Sequence, residues 1–140
     1  MTKIPPGAYT IIAGRKRKLT RPHKSHRKSL EEQVETVFKA YIRNRDKKCC
    51  TPNAKIFCGG PLTCGHLFSG AGKSVRWDER FAFGQCRNHN YQHEHRPEIM
   101  TSWFINTYGK RLFNQGYHRS WRIKRFSLEE LESLLKKFRN

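Results

Sequence analysis

Cysteine and histidine carry the first chemical signal in this chain. Cys49, Cys50, Cys58 and Cys64 fall within sixteen residues, and Cys86 follows with His89 three positions on. Thiolate and imidazole are the ligands zinc takes in a tetrahedron, usually as two close pairs from two turns. Cys86-Arg87-Asn88-His89 supplies one such pair. Cys58 belongs to the other, because Gly59-Gly60 behind it is small enough for backbone amides to face a sulfur. Its partner is expected to be Cys50, with Cys49 and Cys64 as alternatives. The expected set is therefore Cys50, Cys58, Cys86 and His89 around a Zn²⁺ that is structural, since protein fills all four positions and leaves none for water. Five cysteines is an odd number, and no apolar segment opens the chain. Both features argue against a disulfide framework and against secretion.

His66 lies between the two ligand pairs, in Leu62-Thr63-Cys64-Gly65-His66-Leu67-Phe68, whose flanks suit a strand. Asn90 directly follows the second pair, where a helix would begin. A hairpin carrying a histidine, a zinc knuckle and then a helix carrying a hard oxygen donor is the order of a ββα-metal finger. Its chemistry is phosphodiester hydrolysis. Neutral imidazole deprotonates water near pH 7, while a divalent cation holds the scissile phosphate and stabilises the leaving oxygen. The expected roles are His66 as general base and Asn90 as ligand of a catalytic Mg²⁺ or Mn²⁺. His93, one turn beyond Asn90, is a further candidate for that cation; His95 reads as surface.

The elements that must position these groups are legible in outline. Ser29 with Glu32 forms a capping box, and Val34, Val37, Phe38, Tyr41 and Ile42 follow on one stripe, predicting a helix to about Asp46. Residues 47–90 read as short strands and turns. Pro97 opens a second helix that draws on Ile99, Met100, Trp103, Phe104 and Ile105 and ends before Gly109. Ser127 with Glu130 caps a terminal amphipathic helix through Leu128, Leu131, Leu134, Leu135 and Phe138. The expected fold is α+β: a zinc-stabilised treble-clef finger (47–96) flanked by a helix (29–46) and a helical C-terminal part (97–140).

Charge selects the partner. The 140 residues hold 29 Lys and Arg against 11 Asp and Glu, a formal charge of +18, which a polyanion such as nucleic acid would relieve. Residues 1–28 contain no acid and nine bases and read as a flexible arm that gains order on a phosphate backbone. The expected phosphate contacts are Arg15, Lys16, Arg17 and Lys18 in the arm, with Arg76, Arg80, Arg119 and Arg122 beyond it; for Arg76 and Arg80 a salt bridge to Asp78 or Glu79 is the alternative. Arg119, Arg122 and their basic neighbours interleave with Tyr117 and Trp121, a mixture that suits unpaired or branched DNA. A mean hydropathy of −0.87 excludes a helical membrane span.

These segments together resemble the NinG/Rap recombination nuclease family of lambdoid phages, over about residues 29–140. Residues 37–46 (Val-Phe-Lys-Ala-Tyr-Ile-Arg-Asn-Arg-Asp) precede the cysteines as in that family. Cys64-Gly65-His66 stands for its Gly-His, Val75-Arg76-Trp77-Asp78-Glu79-Arg80 for its Leu-Arg-Phe-Asp-Glu-Arg, and Gln85-Cys86-Arg87-Asn88-His89-Asn90 for its Gln-Cys-x-x-Cys-Asn. Residues 103–109 and 121–138 also match. The resemblance implies an HNH-like endonuclease that cuts branched, Holliday-junction-like DNA in the cytoplasm of a bacterial host. Symmetric cutting of a junction would call for a homodimer, although no hydrophobic seam marks one. His89 stands where the family has cysteine, and Cys50…Cys58 is longer than its Cys-x-x-Cys. Phe81 replaces the Asn that braces the loop behind the base, so Phe81→Asn is expected to leave activity equal or higher. The rival expectations are a non-catalytic zinc module that binds nucleic acid and an RNA-binding assembly component.

Overall fold

The computed structural model describes residues 25–52, 54, 56–69 and 74–139, together with the backbone of 9–12 and 15–18. Arm residues outside these stretches, Lys3, Arg21 and Lys24 among them, lie outside the described part. Within the arm, Tyr9–Ile12 (β1) and Arg15–Lys18 (β2) pair antiparallel, with Ile12 opposite Arg15 and Tyr9 opposite Lys18. Two intervening residues are the length of a tight hairpin, and Thr10, Ile11 and Ile12 are β-branched. This hairpin differs from the flexible, disordered arm that the sequence suggests.

His26–Asp46 form α1, which starts earlier than expected. Ser25, not Ser29, is the N-cap, its Oγ accepting the Lys28 N–H at 3.2 Å. Two serines four residues apart offer the same cap, and the earlier one keeps an extra turn. The helix ends at Lys47 in left-handed backbone (φ 60°), whose N–H donates to Arg43 O. Leu30, Val34, Phe38 and Ile42 are its buried face.

Leu62–His66 (β3) and Ala82–Cys86 (β4) form the central antiparallel hairpin, Leu62 opposite Cys86 and His66 opposite Ala82. A single 3₁₀ turn, Glu79–Phe81, leads into β4. Arg87–His95 (α2) then starts directly at the end of β4, with Cys86 as its N-cap. Glu98–Tyr108 (α3) begins after Pro97 and buries Met100 and Phe104, as the proline and the apolar spacing indicate. Lys110–Ser120 (α4) follows after Gly109. Leu128–Arg139 (α5) carries the expected capping box: Glu130 N–H donates to Ser127 Oγ at 3.1 Å, and Ser127 N–H donates to Glu130 Oε2 at 2.7 Å.

Two cores clamp the hairpin. On one side α1 and α5 pack Leu30, Val34, Phe38, Ile42, Leu131, Leu135 and Phe138 against Cys64, Trp77 and Ala82. On the other, Leu67, Val75, Phe81 and Phe83 meet Met100 and Phe104, with Phe68, Leu112 and Phe113 at the margin. The architecture is α+β, mostly helical around small two-stranded sheets. Among the described residues no helix is long and apolar enough to cross a membrane.

Candidate functional site

Cys49, Cys58, Cys86 and His89 each place a ligand atom within 4.8 Å of the others and could hold a metal ion. Cys86 sits at the end of β4 and His89 in the first turn of α2, where the His89 N–H also donates to Cys86 Sγ. His89 Nε2–H donates to the Ile56 carbonyl, so Nδ1 keeps the lone pair and faces the thiols, 3.2 Å from Cys49 Sγ and 3.7 Å from Cys58 Sγ. A backbone acceptor that fixes the ring's tautomer in this way is the usual outer support of a histidine ligand. Cys58 is delivered by the loop before β3. Its neighbour Gly59 accepts the Asn88 N–H on its carbonyl at 2.9 Å, and Pro61 O accepts the Arg87 N–H at 2.9 Å, which folds the glycine turn onto the start of α2. Gly60 sits at φ +78°, and a Cβ there would lie 2.8 Å from Arg87 Cβ.

The fourth ligand atom comes from Cys49, not from Cys50 as the spacing suggests. The Cys50 N–H donates to Gly84 O at 2.9 Å, which pins that residue to β4, and its side chain packs against the core of Phe83 and Met100. Burial, with Cys49 adjacent, pushes the Cys50 thiol up to about 12. Cys49 behaves oppositely. Burial opposes ionisation, but hydrogen bonds from the Cys86 and Thr51 backbone prevail and hold its thiol below the usual value. Cys64 is buried on β3, its thiol also pushed up to about 12 by burial.

Where β3, α1 and α2 meet opens a cavity of about 330 Å³ lined by His66, Asn90, His93, Glu35, Lys39 and Arg76, with Cys64, Phe68, Ser69 and Glu94. The structure thus brings together the three residues assigned to the chemistry. Gly65, next to His66, leaves room for the Gln85 side chain of the neighbouring strand: a Cβ at 65 would stand 2.3 Å from Gln85 Oε1. His66 Nε2–H donates to Arg76 O at 3.0 Å, leaving Nδ1 as the proton acceptor of the neutral ring. Burial holds His66 below its ordinary pKa, against the opposing pull of the Glu35 carboxylate. Asn90 Nδ2 donates to Thr63 Oγ1 at 3.0 Å, and Thr63 in turn donates to Gln85 O at 2.7 Å. The amide oxygen of Asn90 is the end left for a ligand. His93 is 8% exposed; Nε2–H donates to Leu67 O at 3.2 Å, while its buried Nδ1 has no hydrogen-bond partner among the described residues. A lone pair buried without a donor is costly unless something fills it.

Glu35, on α1, had no signal beyond its place on an amphipathic helix. It accepts from Trp77 Nε1 at 2.8 Å and Arg76 Nε at 3.1 Å, with Lys39 Nζ at 3.3 Å. Burial raises its pKa, but the indole N–H and the two cations outweigh it and hold the carboxyl below its ordinary value. Glu35 therefore fixes the segment whose carbonyl holds His66.

Three of the arginines expected on phosphate are paired with carboxylates of the chain itself. Arg76 pairs with Glu35, and Arg80 and Arg119 both pair with Asp78, at 2.8 and 2.9 Å. Arg122 is exposed and makes no ion pair among the described residues. Arg15, Lys16, Arg17 and Lys18 are placed by their backbone on β2. His95 is exposed beside Tyr91. Phe81 is buried against Phe68 and Phe104, and its carbonyl accepts the Leu67 N–H at 2.9 Å, so backbone bonding secures the residue that follows His66. Compared with known proteins, the chain matches no family model, no curated protein and no solved structure.

Proposed function

We propose that the protein is a metal-dependent DNA endonuclease of ββα-metal type acting on branched DNA, with zinc held structurally by Cys49, Cys58, Cys86 and His89. One observation carries the reading. His66, Asn90 and His93 line one cavity, and each imidazole commits Nε2–H to a backbone carbonyl and keeps Nδ1 in reserve. Three sulfurs and one nitrogen suit zinc and leave no open position. The Asn90 oxygen and His93 Nδ1 suit a divalent ion such as Mg²⁺ or Mn²⁺, which would supply charge stabilisation at the scissile phosphate. His66 Nδ1 takes the proton of the attacking water, and the Arg76 carbonyl steadies the imidazolium that results. The low pKa of His66 keeps the ring neutral at physiological pH, the state a base needs. Lys39 and Arg76 at the cavity wall favour an anionic substrate.

Labelled linear, flapped and four-way DNA, each with and without Mg²⁺, test this. Wild type cuts only with the divalent ion. His66→Ala lowers the rate by at least ~10²-fold, the usual share of a general base, with zinc content and DNA affinity kept. Absence of cutting on every DNA with Mg²⁺ and with Mn²⁺ would sink the enzyme reading and leave a nucleic-acid-binding module.

A further inference from the structure

Trp121 is 72% exposed and Ile123 89%, with Tyr117 at 42%. Large apolar side chains left in water as a group mark a surface that meets something. This one is held in place. Trp121 N–H donates to His118 O at 3.3 Å and Arg122 N–H to Arg119 O at 3.0 Å, closing the turn after α4. Ser74 then fastens it from outside, its N–H donating to Arg122 O at 2.9 Å and its Oγ to Arg119 O at 2.6 Å. Tyr117 meets the Trp121 ring edge-to-face at 5.9 Å and 81°, and Trp121 stays mostly exposed beside it. Tyr117 also touches Phe68 at 6.3 Å, and Phe68 lines the cavity of His66. The exposed indole is thus two ring contacts from the cavity wall.

We propose that Trp121, with Tyr117 at its edge, is a stacking platform for an unpaired nucleobase of the DNA strand beside the cavity, the adjoining phosphates lying on Arg122 and Arg125. The proposal rests on the reading of that cavity as a DNA-cleaving site. Charge identifies the occupant. Arg122 and Arg125 are exposed and form no ion pair among the described residues, so the aromatic patch carries positive charge that a polyanion complements. An exposed π-face followed in the chain by two such arginines matches a base and its phosphates. In paired duplex the base faces are already stacked, so the platform selects DNA with unpaired nucleotides next to the cut.

Equilibrium binding of the full chain, without added Mg²⁺, to a labelled duplex and to the same duplex with a short single-stranded flap reads this directly. Wild type prefers the flap. Trp121→Ala weakens flap binding by about fivefold to hundredfold, the range of one stacked base, and leaves plain duplex unchanged; Trp121→Phe keeps most of the preference. Should Trp121→Ala lose its fold, quenching of wild-type indole emission by flapped but not plain DNA, absent in Trp121→Phe, reads the same contact. Equal weakening on both DNAs, or none on either, overturns the platform. Cleavage with Mg²⁺ runs in parallel: cutting without a flap-selective effect removes the platform alone, and a flap-selective effect without cutting removes the nuclease alone.

Discussion

His66 depends on a residue to which it makes no hydrogen bond. Glu35 anchors Arg76 and Trp77, and the Arg76 carbonyl anchors His66; the same carboxylate raises a pKa that burial lowers. Glu35→Gln removes the charge and keeps a similar shape. The proton is then held less tightly on His66, so the acidic limb of the cleavage profile, already below the ordinary 6.5, moves to lower pH. The plateau rate falls as well, because Arg76 loses its ionic anchor. A pH–rate profile checks both; an unmoved limb would show that Glu35 serves only the fold. At Phe81 the expectation runs the other way. The resemblance makes Asn the expected improvement there, yet the ring is 2% exposed, and Gly116 passes so close that a Cβ would lie 2.5 Å from Phe81 Cε1. An amide in this aromatic pack forfeits the ring's packing and sets its polar end among Phe68 and Phe104, at a cost of about 3 kcal/mol or more. Phe81→Asn is therefore expected to lower the urea midpoint markedly, and cleavage with it.

At the scale of elements, what could be read from the sequence is what local chemistry decides. The Ser127–Glu130 box, the proline before α3 and the buried stripe of α1 each act within a few residues, and each is found in place. Helix α4 opens at a glycine without a side-chain cap hydrogen bond and gave no start signal. The choice between Cys49 and Cys50 lay equally out of reach. The two residues are identical neighbours, and the selection is made by a backbone bond to Gly84, far along the chain. It is testable for the same reason. Cys49→Ser should release the metal and destabilise the finger, since binding energy there is also folding energy. Cys50→Ala should keep one zinc per chain and cost only the packing of one buried sulfur. His89→Cys keeps four good ligands and should retain the metal. Metal analysis with thermal unfolding of the three variants decides; zinc absent from Cys50→Ala and kept by Cys49→Ser would reverse the assignment.

For the whole molecule the governing quantity is the charge of +18. Several cations are already paired within the chain: Asp78 takes Arg80 and Arg119, Asp46 takes Arg45, and Glu35 takes Arg76 and Lys39. With 11 acids against 29 bases, pairing cannot extend to the rest, so the surplus is available to a polyanion. Residues 1–24 hold Lys3, Arg15, Lys16, Arg17, Lys18, Arg21 and Lys24 and no acid. Four of these seven fall on one short strand, β2, so the arm's charge is concentrated there in sequence. Removing residues 1–24 leaves Ser25 to cap α1 and takes no described residue from either core, so zinc content and thermal stability should not change. DNA affinity should fall on every sequence alike. For every phosphate the arm no longer neutralises, the plot of log affinity against log salt becomes shallower by about 0.9. Parallel plots for the full and shortened chains would show that the hairpin does not meet phosphate. A slope shallower by several units, with cutting by the shortened chain intact at low salt, would assign the arm to capture and the cavity of His66 to chemistry.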